Sequence, residues 1–204
     1  MRRGAVAEAV GLDPVSVTAD GTLFVAAVQA ELGTIHGEAI GIGLVAAAAS
    51  MGRILATVRP ARVVLIGTAG SFGTLRVGAV VQGRRLGLGA VGVTLGLGYQ
   101  PGAPPVLAGI DLGLAGADVL TNLAVTTDPD LAARFGADWQ IEHMETYGAA
   151  WACHAAGVPF GVVLGVTNRV GPTAHAEWKA NRDAVEAATR AAAGAAVAGR
   201  WSLG

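Results

Sequence analysis

Cysteine is almost missing from this chain: Cys153 is the single one in 204 residues. One thiol excludes an internal disulfide and a multi-cysteine zinc site, and it fits a reducing, cytoplasmic setting. Set in an apolar, small-residue segment, it reads as buried packing rather than as a nucleophile. Charge is scarce too, at 14% charged residues and a formal net charge of -1. Without a basic field, or a Lys/Arg cluster interleaved with aromatics, nucleic acid is excluded as a partner. The four histidines, His36, His143, His154 and His175, have no metal-ligand spacing and no accompanying carboxylate cluster. No metal is expected, and structural or surface roles are their default. No Gly-x-Ser-x-Gly occurs, which removes the nucleophile elbow of a serine hydrolase. Gly41-Ile42-Gly43 lacks the third glycine and the later acidic residue of a dinucleotide site, so no cofactor is expected. Leu86 to Ile110 carries no charge, but Gly87, Gly89, Gly92, Gly96, Pro101 and Pro104 break any membrane-spanning helix. Met1-Arg2-Arg3 opens like a secretion signal, yet Glu8 and Asp13 interrupt the apolar region that should follow.

What the chain has in excess is apolar residues, at 52%, and glycine, at 31 positions. The glycines are separated by apolar runs, which points to tight turns and close backbone approaches rather than disorder. So little charge on so apolar a chain implies surface buried in a subunit contact, hence a homo-oligomer, dimer or higher. Residues 1–204 read as one domain, with 1–20 as a loosely helical lead-in. Leu23 to Val28 and Glu38 to Ile42 read as strands. Leu44 to Val58 reads as a helix with Met51, Ile54, Leu55 and Val58 on one face, closed by Pro60. Arg62 to Ile66 is a buried strand running into a loop, Gly67 to Gly73. Several short strands fill Val77 to Val125. Asp128-Pro129 caps a short helix ending near Gly136, and Trp139 to Ile141 is a strand end. A helix from Glu145 to Ala156 stops at Gly157. Phe160 to Val166 is a buried strand, and an Ala-rich helix spans Ala174 to Ala198. Strands alternating with helices predict a three-layer α/β/α domain.

Ligands of open α/β sheets bind where the strands' carboxyl ends emerge. Thr167 and Asn168 stand at such an end, and so does the 67–73 loop, where bare amides and the Thr68 hydroxyl suit an anion or a sugar hydroxyl. Glu142 and Glu145, at the entrance of the next helix, are placed to accept hydrogen bonds from a hydroxylated ligand. Met144 between them offers a thioether to pack on a sugar face. Glu31, just after the first strand, would orient and deprotonate a water if its strand ends at the same crevice. Trp139, Trp151 and Trp178 read as core or interface residues.

Taken together, these residues resemble the nucleoside phosphorylase and nucleosidase superfamily. The nearest branch is its hydrolytic one, the methylthioadenosine/S-adenosylhomocysteine nucleosidases and futalosine hydrolases. The similarity runs through nearly the whole chain after residue 20. Ala27 and Glu31 match an Ala-x-x-x-Glu after the first strand, Gly41 to Gly43 a Gly-Ile-Gly, Gly67-Thr68-Ala69-Gly70 a ribosyl loop, and Met144-Glu145 a ribose-gripping Met-Glu. Ala152-Cys153-His154 through Val158-Pro159-Phe160 to Thr167-Asn168 resembles the helix and final strand, and Asn168 to Pro172 with Trp178 is similar to the futalosine hydrolase ending. The resemblance implies a central mixed sheet and cleavage of a purine nucleoside's N-glycosidic bond. Glu31 would activate water, Asn168 would stabilise the leaving base, and Glu145, Met144, Glu142, Thr68, Ala69, Gly70 and Thr167 would bind substrate. For the futalosine branch it also implies a place in purine metabolism and menaquinone biosynthesis.

The chain departs from the pattern at four places. Asn168 stands where many members have a proton-donating aspartate; its amide can still donate a hydrogen bond to a 6-oxopurine. Leu164 replaces an arginine, Leu44 replaces a lysine, and only ten positions separate Glu31 from Gly41. Three readings stay open: a nucleosidase, a phosphate-dependent phosphorylase, and a noncatalytic nucleoside-binding protein.

Overall fold

The computed structural model describes residues 15–199, so most of the expected helical lead-in lies outside the described residues. The part of it that is described, 15–20, is not helical: it is an extended approach to a turn ahead of β1.

β1 (Thr22–Ala26) and β3 (Arg62–Ser71) are mainly apolar runs in which β-branched residues recur, and both faces of each are buried. Parallel pairing of β1 with β3 and with β2 (Gly37–Ala39) starts the sheet. β4 (Val80–Leu88), β5 (Leu107–Ala108), β6 (Gly116–Thr121), β7 (Ile141–His143) and β8 (Phe160–Arg169) complete a mixed eight-stranded sheet. β8 inserts parallel to β3 and antiparallel to β4, while β4 pairs with β6, β6 with β7, and β7 antiparallel with β3. These pairings return to β3, so the middle of the sheet closes on itself.

Alternation along the strands divides two cores. Leu23, Val25, Val63, Leu65, Val162 and Leu164 face α2 (Leu44–Thr57) and α5 (Thr146–Ala156), whereas Phe24, Ala26, Val64, Ile66 and Val163 pack on the side of α6 (Ala174–Gly199). That two-sided burial is the expected three-layer α/β/α arrangement. On α2, Ala47, Met51, Ile54 and Leu55 form the buried stripe a helix of 3.6 residues per turn requires. The shorter helices are α1 (Gln29–Leu32), α3 (Val91–Thr94) and α4 (Pro129–Gly136). α4 starts as expected, with Asp128 accepting the Leu131 N–H and Pro129 at the first position. α5 ends at Gly157 with φ 66°, the left-handed cap that favours glycine.

Several boundaries differ from the sequence reading. The Gly67 to Gly73 loop is strand as far as Ser71, because β3 has partners on both sides there: β8, through a bulge at Ala69/Gly70, and β7. β8 likewise continues past Val166 to Arg169, with Thr167 at the bulge and Asn168 paired with Gly70. The first strand is shorter than expected, since the Glu31 carboxylate accepts the N–H groups of Ala27 and Val28 and turns the chain into α1. Trp139 precedes β7 rather than belonging to it, and its ring lies over Gly87, where a Cβ would come within 2.1 Å of it. Among the described residues no helix is long and apolar enough to cross a membrane.

α2 and α5 touch backbone to backbone at Gly148, where an added Cβ would lie 2.4 Å from the Leu44 carbonyl oxygen. A Gly148→Ala substitution improves helix propensity by up to about 1 kcal/mol, but neither backbone can yield without moving a helix. We expect net destabilisation of about 1–3 kcal/mol, read as a lower melting temperature; an unchanged or raised one would contradict this contact.

Candidate active site

Four segments meet at the carboxyl ends of β1, β3 and β8, around a cavity of about 590 Å³. That is within the usual size for a small-molecule site. α1 brings Glu31 to it, the end of β3 brings Thr68, Ala69 and Gly70, β7 and the turn into α5 bring Glu142, Met144 and Glu145, and β8 brings Thr167 and Asn168. All nine residues singled out in the sequence therefore line one space.

Their environments differ. Glu145 is buried at the N-cap position of α5; its Oε1 accepts the Gly43 N–H at 2.7 Å and its Oε2 lies 3.3 Å from His143 Nε2. The N–H of Gly43, which has φ 90°, thereby ties the start of α2 to the start of α5. Glu142 is turned away from a ligand-binding role: its carboxylate accepts from Asn122 Nδ2 at 2.7 Å, the Thr126 N–H at 3.0 Å and the Thr126 hydroxyl. Three donors satisfy a buried carboxylate, and the result is a brace for the 122–127 loop, which supplies Val125 and Thr127 to the cavity wall.

Asn168 is oriented by what its neighbours can do. Its amide faces the Arg169 carbonyl at 3.0 Å, an atom that only accepts, so Nδ2 points there and Oδ1 receives the Thr167 hydroxyl at 2.9 Å. One Nδ2 proton remains for a ligand. The absence of a side chain at Gly70 makes room for this amide, since a Cβ there would lie 2.9 Å from Nδ2.

Burial pushes the Glu31 carboxyl up to about 7; the charges of Glu145 and Glu186 add to the rise, and the Val28 and Ala27 N–H groups oppose it. Arg190 of α6 donates to the Glu31 carbonyl at 3.2 Å and so anchors α1.

Residues the sequence reading did not assign to the site also line it. Trp178, expected in the core or an interface, is half-buried in the cavity wall; its indole N–H donates to Thr68 Oγ1 at 3.3 Å and His175 stacks on it at 5.8 Å. His143 is buried between Glu142 and Met144, and its only signal in the sequence is its place in the Glu-His-Met-Glu turn. No lysine or arginine lines the cavity among the described residues, and no group of acidic, histidine and cysteine side chains there could hold a metal ion.

If Glu145 raises the Glu31 carboxyl through space, removing that charge must lower it. A carboxyl-carbon NMR titration should give a Glu31 midpoint near 7 that shifts down in Glu145→Gln. A midpoint in the ordinary glutamate range in the unaltered protein would contradict the burial seen here.

Comparison with known proteins is consistent with this geometry. The model of the Phosphorylase superfamily matches residues 126–198, the part holding β7, α5, β8 and most of α6. No curated protein matches the chain. Among solved structures, a futalosine hydrolase mutant of Helicobacter pylori strain 26695 superposes with a TM-score of 0.78 at 13% identity, covering 87% of this chain and 98% of its own. A methylthioadenosine/S-adenosylhomocysteine nucleosidase from Colwellia psychrerythraea 34H in complex with adenine gives 0.73 at 18%, covering 91% and 97%. The corresponding nucleosidase of Neisseria meningitidis in complex with methylthio-immucillin-A gives 0.73 at 19%, covering 88% and 98%. The chain thus has the nucleoside phosphorylase-like fold of these nucleosidases, and its segment 126–198 carries the match to the Phosphorylase superfamily.

Proposed function

We propose that the protein is a purine-nucleoside N-ribosyl hydrolase, cleaving the N-glycosidic bond with water, with a 6-oxopurine nucleoside as its preferred substrate class. The observation that carries this reading is the convergence of Glu31, Glu145 and Asn168 on one cavity without a cationic lining residue. Glu145 uses one acceptor site for Gly43 and one toward His143; a carboxylate offers about four, which leaves capacity for ribose hydroxyls while Met144 packs on the sugar face. Glu31, its carboxyl pushed up to about 7 by burial, has the basicity a general base needs near neutral pH.

In the proposed step the C1′–N9 bond breaks as its electron pair moves onto the purine, and positive charge develops on the sugar between the two carboxylates. The water oxygen bonds to C1′, its proton passes to Glu31, and the free Asn168 Nδ2 proton hydrogen-bonds the six-oxo group or adjacent imidazole nitrogen of the departing base. The base then takes a proton from Glu31 or solvent. These contacts grow with the developing charges and so favour the transition state over the ground state. Adenine and methylthio-immucillin-A in two neighbours' complexes support a purine nucleoside as ligand.

A phosphorylase needs cations around its phosphate, and none lines this cavity. Water is the better nucleophile on that ground. The exposed apolar side chains Ile42, Val45, Leu97 and Tyr99 support a homo-oligomer, and the single buried thiol supports a cytoplasmic setting. Light scattering should return a mass of at least two chains; a monomer would remove the oligomer.

The deciding assay incubates the protein with inosine, futalosine, methylthioadenosine and adenosine, with and without phosphate, and measures free base by chromatography. Base release without phosphate is expected. Glu31→Gln should lower kcat/KM by about a hundred- to ten-thousandfold, and Glu145→Ala should weaken ribonucleosides more than 2′-deoxynucleosides. Because Glu31 acts deprotonated, kcat/KM should fall as pH drops below about 7. Base release only with phosphate would favour the phosphorylase. Nucleoside binding with no base release would favour the noncatalytic reading, and full activity of Glu145→Ala would remove the assignment of that residue.

A further inference from the structure

His143 performs two tasks with one ring. Its Nδ1 faces the amino end of α5, where the N–H groups of Glu145 and Thr146 point at it from 3.3 and 3.2 Å and the Thr146 hydroxyl lies at 2.8 Å. Backbone N–H groups only donate, so Nδ1 must be the acceptor and the ring's proton must sit on Nε2. With the Tyr147 N–H donated to Thr121 Oγ1 at 2.9 Å, the first turn of α5 is capped by side chains other than that of Glu145 itself. Glu145 is thereby left free to face the cavity.

The other edge of the ring bears on Glu145. Nε2 lies 3.3 Å from Glu145 Oε2 and both side chains are almost wholly buried, so the ring edge and the carboxylate are in direct polar contact. Gly67 of β3 leaves the room: a Cβ there would come within 3.0 Å of His143 Nε2 and 3.6 Å of Glu31 Oε1. Burial holds the ring's basicity down against the opposing pull of Glu145, and a helix amino end beside Nδ1 also disfavours a positive ring.

We propose that His143 is a positioning residue for sugar recognition, a neutral, Nε2-protonated imidazole that caps α5 with one nitrogen and aims the Glu145 carboxylate at the ribose hydroxyls with the other. The role in sugar binding rests on the proposed nucleoside site; the tautomer and the contact of Nε2 with Glu145 do not.

Two substitutions separate the tasks. In His143→Asn, the amide oxygen can occupy the Nδ1 position and keep the cap, but nothing reaches Glu145. In His143→Gln, the amide nitrogen can occupy the Nε2 position and restore the donor. His143→Asn should keep a near-native melting temperature and weaken ribonucleosides about ten- to a hundredfold in KM, the usual effect of losing a hydrogen bond to a charged group, with a smaller change in kcat. The 2′-deoxynucleosides should be less affected, His143→Gln should recover part of the loss, and His143→Asn should add little to Glu145→Ala.

The experiment begins with nitrogen-15 NMR of the ring in the intact protein, which reads the tautomer whether or not base is released. The Nε2–H form is expected; an Nδ1–H or doubly protonated ring overturns the proposal. Inosine and 2′-deoxyinosine are then compared in the variants by base release and by calorimetry. Equal losses for both sugars, or no recovery in His143→Gln, also overturn it. If the unaltered protein neither binds nor cleaves either nucleoside while the Nε2–H form is found, the proposed function fails and the orientation of Glu145 by His143 stands.

Discussion

The Gly43 N–H bonded to the Glu145 carboxylate is the contact on which the site's construction depends. It joins the amino ends of α2 and α5, two helices that touch backbone to backbone at Gly148 and cover the same face of the sheet. A buried carboxylate at a helix amino end benefits from the helix dipole, and here it faces the donors of a second helix start as well. Shifting either helix would orphan a buried acceptor, which costs more than the bond itself contributes. The position of Glu145 is therefore coupled to the core packing.

Closure of the sheet does similar work for the other segments. β3 pairs with β8 from Val63 to Ser71, with β1 on its other side at the start and β7 at Gly70 and Ser71, so its glycine-rich end is held as strand where a free loop would be floppy. The same pairing holds Thr167 at the bulge and Asn168 in the β8 ladder, and sets the amide of Asn168 against Gly70. Rigid backbone on three sides suits the proposed reaction, in which charge would develop at one carbon atom and be met without reorganisation. The fourth side, formed by the 122–127 loop and the start of α6, is held by side chains instead: Glu142 ties down Thr126, and Trp178 bonds Thr68.

Much of this was legible in advance, for identifiable reasons. The helices α2, α4, α5 and α6 announced themselves through a periodic apolar face, Asp128-Pro129, and Gly157 before Pro159. The candidate residues were legible because hydroxyl, amide and carboxylate side chains next to strand ends of an α/β chain have few roles other than function or capping. The errors came where long-range pairing overrode local signals. Gly67 to Ser71 looks like a loop because glycine disfavours strands in isolation, yet two neighbouring strands supply its hydrogen bonds. Glu142 and Glu145 looked equivalent, three residues apart, but Asn122 and Thr126 claim the first and leave the second to the cavity.

The sequence by itself determined the layered α/β/α class, the limits of the longer helices α2, α4, α5 and α6, and which polar residues lie toward the carboxyl ends of strands, because hydrophobic period and capping chemistry are local properties. Tertiary structure alone decided that the sheet closes through β3, that His143 faces Glu145, that Trp178 walls the cavity, and that burial pushes the Glu31 carboxyl up to about 7. Each of these depends on groups distant in the chain being buried together, where a donor's direction and a neighbour's charge act through space and leave no pattern in residue order.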